Sequence, residues 1–306
     1  MICLKPAPWK VGLILTVGIL SASTAAIFIR LALDAAEVQG VGFSLVLASL
    51  RLSLAALFLL PAWKNFHPTQ LRRQAPLYSV AAGVFLAAHF ATWITSLSYT
   101  SIAASTTLVT TNPIWVALLS WLWLKERPTL ITASGIGITL AGGLLIGLVG
   151  TGTETAGSNP FLGNALALVG ALTVSLYFVL GREAQRQGMS IGHHVALTYT
   201  TAALILLPLP LLFQTSYIGH SRTVYLYILL MAVFPQLIGH TSFNWAVRWI
   251  SPTLVTLVIL AEPVGSSILG FIVFRENPGF VVLVGAIVIL TGVAIAAFGT
   301  RSPART

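Results

Sequence analysis

The stretch TTNPIWVALLSWLWLKERP (residues 110–128) returns 150 positions later as LAEPVGSSILGFIVFRENP (260–278). Without a gap, Pro113 lies on Pro263, Leu119 on Leu269, Lys125 on Arg275, Glu126 on Glu276 and Pro128 on Pro278. Further on, Gly135 meets Gly285 and Gly142 meets Gly292, while upstream Arg30 meets Arg182 at an offset of 152. A near-constant offset over such a length marks an internal duplication. It divides the chain into residues 1–150 and 151–306, with the Gly-, Thr- and Ser-rich segment GTGTETAGSNP (150–160) as the natural linker.

Composition says what the copies are made of. Of 306 residues 57% are hydrophobic and 8% charged, and the mean hydropathy is +0.92. A soluble domain carries about a quarter charged residues, so this chain cannot cover itself with a water-compatible surface. It reads as an all-α integral membrane protein. Apolar segments able to cross a ~30 Å hydrocarbon core fall at about 11–33, 43–63, 77–97, 104–124 and 132–149. Five more fall at about 162–182, 193–213, 225–245, 254–274 and 279–298. Ten transmembrane helices thus form two five-helix repeats. Five is odd, so the second repeat enters the membrane inverted, with Lys125–Glu126 on one side and Arg275–Glu276 on the other. Two inverted halves are a common transporter architecture, with the substrate site near the midplane between them.

Direction follows from the basic residues. Lys5, Lys10, Lys64, Arg72, Arg73, Lys125, Arg127, Arg182, Arg186, Arg248, Arg301 and Arg305 fall on the side of the two termini. Arg30, Arg222 and Arg275 fall on the other, and Arg51 lies inside a span. Both termini are therefore expected in the cytoplasm. Trp9, Trp63, Trp121, Trp123, Trp245 and Trp249 sit near the same ends, as an interfacial belt would. The net charge of +9 is spread singly between apolar blocks, which argues for topology signals and against a nucleic-acid surface. The first apolar run continues to about Leu33, too long for a typical signal-peptide core. Cys3 is the single cysteine, which excludes an intramolecular disulfide and a multi-cysteine metal site.

Each copy carries a proline inside its fourth helix, then a basic–Glu–x–Pro turn (LKERP, FRENP), then a Gly-containing fifth helix. In this the chain resembles the drug/metabolite transporter superfamily of EamA type, over its whole length. The run AHFATWITSLSYTSIAASTTLVTTNP (88–113) is similar to bacterial amino-acid exporters of the YddG type. The resemblance implies ten helices around a central cavity and export of aromatic and other amino acids.

Polar groups inside hydrocarbon face the bundle interior, and ionisable ones are functional candidates. His89, Asn112, Gln236, His240 and Glu262 lie within roughly two turns of their spans' centres, at ~1.5 Å per residue. Gln236, His240 and Asn244 recur every four residues and share one helix face. Tyr78, Phe85, His89, Trp93 and Ser96 share a face of the corresponding helix of the first copy. Two such stripes look like two walls of one cavity; hydrogen bonding between neighbouring helices is the plainer account. Asn112–Pro113 and Glu262–Pro263 are equivalent, and each proline is expected to free a carbonyl four residues back, at Val109 and Ile259. Trp115 and Ser266 share faces with Asn112 and Glu262. The expected substrate-contacting set is therefore Tyr78, His89, Trp93, Asn112, Trp115, Gln236, His240, Asn244, Glu262 and Ser266. Three roles stand open for Glu262: a contact to a cationic substrate group, a coupling proton, or an ion pair with Arg51.

The functional expectation is a secondary transporter of small molecules, amino acids first, with drugs or other metabolites as the alternative. There is no Gly-x-x-x-x-Gly-Lys-Ser/Thr motif and no loop large enough for a nucleotide-binding domain, which argues against a primary pump. A membrane enzyme would want a paired carboxylate or a metal-ligand cluster. Adjacent His193 and His194 point to different faces of a helix, so they make a poor joint site. A carrier of multiply charged anions would need several cavity cations, and only Arg51 offers itself; a zwitterion or lipophilic cation fits better. No cofactor or metal is expected. The partners are a small-molecule substrate and the lipid bilayer, no oligomeric state is assigned from the sequence, and compact loops suit a bacterial inner membrane.

Overall fold

The computed structural model describes residues 6–36, 40–66, 72–96, 99, 105, 108–109, 111–125, 127–149, 159–275 and 279–299. The described part of the first half contains α1 (Pro8–Ala36), α2 (Val41–Phe58), α3 (Gln74–Ser96), α4 (Asn112–Leu124) and α5 (Leu130–Val149). The second half contains α6 (Pro160–Arg186), α7 (Ile191–Leu206), the short α8 (Leu209–Leu212) and α9 (Arg222–Met231). A π-helical stretch Ala232–His240 then runs into α10 (Thr241–Ala246), followed by α11 (Pro252–Ile259), α12 (Glu262–Phe274) and α13 (Gly279–Gly299). No strand occurs among the described residues.

Among the described residues, seven helical stretches are long and apolar enough to cross a membrane: Pro8–Ala36, Val41–Phe58, Gln74–Ser96, Phe161–Arg186, Ile191–Leu212, Arg222–Ala246 and Pro252–Phe274. Leu130–Leu145 and Leu283–Ala296 are shorter apolar helices. The expected fourth span, 104–124, is described as a regular helix only over Asn112–Leu124, and residues 104, 106–107 and 110 lie outside the described set. Glu126, Glu276 and Pro278 of the repeated turns lie outside it too.

Helix starts are set where the sequence places cap residues. Asn159, Ser190 and Ser251 each accept the backbone N–H three residues on, from Leu162, His193 and Leu254, at 3.2 Å. Pro160 and Pro252 follow directly, where a missing N–H costs nothing.

The packing repeats itself across the two halves. Helix α1 packs on α9 and the π segment, and α6 packs on α3, the matching contact with the halves exchanged. Likewise α1 meets α12, and α6 meets α4; α2 meets its counterpart α7, and α5 meets its counterpart α13. The last pair shows the relative direction. A Cβ on Gly135 would lie 2.7 Å from the carbonyl oxygen of Gly292, and one on Gly142 would lie 2.8 Å from that of Gly285. As one helix advances the other recedes, so these equivalent helices are antiparallel. The contact 135–292 is the contact 285–142 with the copies exchanged. Small residues let the two backbones approach this closely. Both halves also end their broken helix alike: Lys125 (φ 57°) and Arg275 (φ 60°), 150 positions apart, adopt the left-handed C-cap conformation.

The core lies where the halves meet. Leu52, Leu86 and Phe90 of the first half close against Tyr177, Phe178, Tyr199 and Phe243 of the second. Trp9, Trp121 and Trp123 are exposed on the outside of the bundle.

Candidate functional site

The two prolines do not kink continuous helices as the sequence suggested. The ninth span stops at Ile259, makes a turn in which Ala261 N–H bonds to Val258 O at 3.0 Å, and restarts at Glu262. Thr111 N–H bonds to Leu108 O at 3.2 Å and α4 starts at Asn112, the same geometry 150 positions earlier. Pro113 and Pro263 therefore fall in the first turn of a new helix rather than within an old one. The matching tethers are also symmetric. Ser23 Oγ donates to Glu262 O at 3.2 Å, and Ser175 Oγ donates to Asn112 O at 3.1 Å. Ser23 and Ser175 are themselves 152 positions apart. Discontinuous helices whose ends meet inside the bundle are a known way to build a transporter's binding site.

Arg51 is the organising side chain, and the sequence pointed to it only as an ion-pair candidate. It is 3% exposed on α2, its Nε donates to Gln236 Oε1 at 2.9 Å, and its Cζ lies 4.7 Å from the centre of the Phe90 ring. Of the three roles left open for Glu262, the ion pair with Arg51 is not formed. Glu262, half-buried at the start of α12, lies within electrostatic reach of Arg51 but makes no ion pair or hydrogen bond through its carboxylate to a described residue. Gln236 holds the guanidinium instead. Its position follows from the π stretch, which contains Pro235 and carries both Gln236 and His240. A π turn changes which residues share a face, so the strict four-residue stripe expected here is altered; such segments cluster at functional sites.

His89 and His240, 151 positions apart, come from the equivalent helices of the two halves. His89 is buried, and its Nδ1 lies 2.9 Å from Gly170 O. A carbonyl only accepts, so Nδ1 carries the proton and Nε2 is left as acceptor in the neutral ring. The ring stacks on Trp93 at 5.7 Å. His240 stands 5.8 Å from Phe90 and 6.3 Å from Tyr177, ring centre to ring centre. Three buried polar atoms here lack a partner among the described residues, Trp93 Nε1, Gln236 Nε2 and His240 Nδ1, and so does Trp115 Nε1 on α4. Buried donors without acceptors are costly, by about 1–3 kcal/mol each, unless a ligand or water meets them.

Other expected residues are tied to neighbouring helices. Asn244 is fully buried and fully engaged. Its Nδ2 donates to the Tyr177 hydroxyl and to His240 O, its Oδ1 lies 3.2 Å from His194 Nε2, and its carbonyl accepts Gln185 Nε2 at 2.8 Å. His194 in turn lies 2.9 Å from Ser79 Oγ through Nδ1. This network ties α3, α6, α7 and α10 together and gives Asn244 an interhelical role. The local spacing that put Asn244 on a stripe could not reveal partners so distant in sequence. Tyr78 packs against Trp123, ring centres 6.1 Å apart, and beside Phe66, Ala184 and Met189 towards one end of the bundle. Ser266 Oγ donates to Ser23 O at 3.0 Å, a bond between helices α12 and α1. Asn112 is buried with its carbonyl taken by Ser175. Tyr177 and Tyr199, which the sequence did not single out, are fully buried; the Tyr199 hydroxyl donates to Gln236 O at 3.3 Å and so fixes the residue that holds Arg51. No cluster of three His, Cys, Asp or Glu able to hold a metal occurs among the described residues.

Comparison with known proteins matches this architecture. A crystal structure of a protein superimposes with a TM-score of 0.79 at 18% identity, covering 96% of this chain and 99% of the other, which shows the shared fold. No curated protein matches in sequence. The model of the EamA-like transporter family matches twice, over residues 9–148 and 161–298. The chain therefore belongs to the EamA-like transporter family, within the drug/metabolite transporter superfamily.

Proposed function

We propose that this transporter exports amino acids, aromatic and other neutral ones, by alternating access through a site between its two halves. The proposal places it in a bacterial inner membrane with both termini in the cytoplasm. One observation supports the substrate class above others: an unpaired carboxylate at Glu262 and a buried guanidinium at Arg51 lie within electrostatic reach without meeting. A zwitterion supplies an ammonium for the first and a carboxylate for the second. Phe90, Trp93 and His89 add aromatic faces beside them, on which a side chain rests at little cost.

The test is uptake of a labelled panel into liposomes containing the pure protein. The panel holds aromatic, aliphatic and acidic amino acids together with a lipophilic cation. Saturable uptake of neutral amino acids supports the proposal. Uptake of the cation alone turns it towards drug export.

A further inference from the structure

We infer that Arg51 is the carboxylate-binding subsite of this transporter, with Gln236 holding it in register. The inference rests on the amino-acid reading but concerns one end of the ligand only. Gln236 Oε1 takes the Nε–H at 2.9 Å, and Phe90 takes one face of the guanidinium plane at 4.7 Å. These two contacts fix the plane and occupy the Nε vertex. The opposite edge carries Nη1 and Nη2, and neither has a hydrogen-bond acceptor among the described residues. That edge is the fork which binds a carboxylate through two parallel hydrogen bonds.

A second observation points the same way. Gln236 is fully buried, and with its oxygen turned to Arg51 its Nε2 is left without an acceptor. A second unsatisfied donor thus lies on the residue that holds a cation only 3% exposed. A buried cation is costly without a counter-charge. Glu262 is the acidic side chain in electrostatic reach, yet it is not paired with Arg51. An anionic oxygen pair from a ligand completes the site, and Glu262 remains free for the ligand's ammonium.

Binding to the purified full-length protein tests this with three probes: L-phenylalanine, L-phenylalaninamide, which lacks the carboxylate, and 3-phenylpropanoate, which lacks the ammonium. Wild type is expected to bind L-phenylalanine at least about tenfold more tightly than the amide, the effect of one strong bidentate contact. Arg51→Gln should weaken both acids by roughly tenfold or more and leave the amide unchanged, with Arg51→Lys in between. Retained amide binding and an unchanged elution profile show that the variants are folded. Equal binding of phenylalanine and its amide by wild type overturns the subsite, as does undiminished acid binding by Arg51→Gln or no acid binding at all. Arg51-dependent binding of 3-phenylpropanoate without phenylalanine keeps the subsite and discards the amino-acid reading. Phenylalanine binding that ignores Arg51 does the reverse.

Discussion

Nε of Arg51 donates to Oε1 of Gln236 at 2.9 Å, and this bond joins α2 of the first half to the π stretch of the second. Replacing Gln236 by Leu keeps most of its volume and removes the acceptor. The buried Nε–H is then unsatisfied, at a cost of about 1–3 kcal/mol. We expect Gln236→Leu to melt at lower temperature in detergent and to transport poorly, because the guanidinium loses its register. A thermal scan and an uptake assay on one preparation measure both.

Asn244 and Glu262 should separate cleanly. Asn244→Ala strips hydrogen bonds from Tyr177, His194 and the His240 carbonyl at once. We expect a stability loss of about 2–4 kcal/mol, since partly broken buried networks are worse than single lost bonds. Glu262→Gln removes a charge that has no partner among the described residues, so its stability should stay within about 0.5 kcal/mol of wild type. Its uptake should nevertheless fall. Melting curves and uptake rates distinguish the two variants.

The α5–α13 contact makes a paired prediction. A Cβ at Gly142 meets backbone atoms of Gly285 and Ile289 at 2.8 Å, and one at Gly292 meets Thr139 N at 2.6 Å. Backbone cannot step aside as a side chain can, so Gly142→Ala and Gly292→Ala should each cost about 1–3 kcal/mol. Gly137, on the same helix as Gly142, has open space where a Cβ would stand, with nothing within 4 Å, and Gly137→Ala should be neutral or slightly stabilising. Equal melting of all three variants contradicts the close contact.

Inversion predicts opposite accessibility of equivalent turns. In a Cys3→Ser background, a cysteine at position 126 should react with a membrane-impermeant reagent only from the cytoplasmic side. One at position 276 should react only from outside. Labelling of both from one side removes the inverted topology.

Much of this was legible in the sequence because the duplication is. Pro113 with Pro263, Lys125 with Arg275, and Gly135 and Gly142 with Gly285 and Gly292 return in the structure as matching helix starts, matching caps and reciprocal contacts. What escaped depended on neighbours distant in sequence. The spacing of Asn244 gave no sign of its partners His194 and Tyr177, which lie 50 and 67 positions away. Arg51, the one cation near a span centre, offered itself as one of three candidate roles for Glu262; Gln236, 185 positions away, takes its Nε instead. The π stretch breaks the 3.6-residue period on which any stripe is read, and Pro235 within it was the local sign.

The central claim is a substrate site between the halves at which Glu262 acts on the substrate. Counterflow of labelled L-phenylalanine into proteoliposomes, wild type against Glu262→Gln at matched protein density, tests it most directly. The account predicts saturable wild-type counterflow, reduced at least about tenfold in the variant, the effect of losing one charge-assisted contact. Equal, saturable counterflow by both proteins contradicts it.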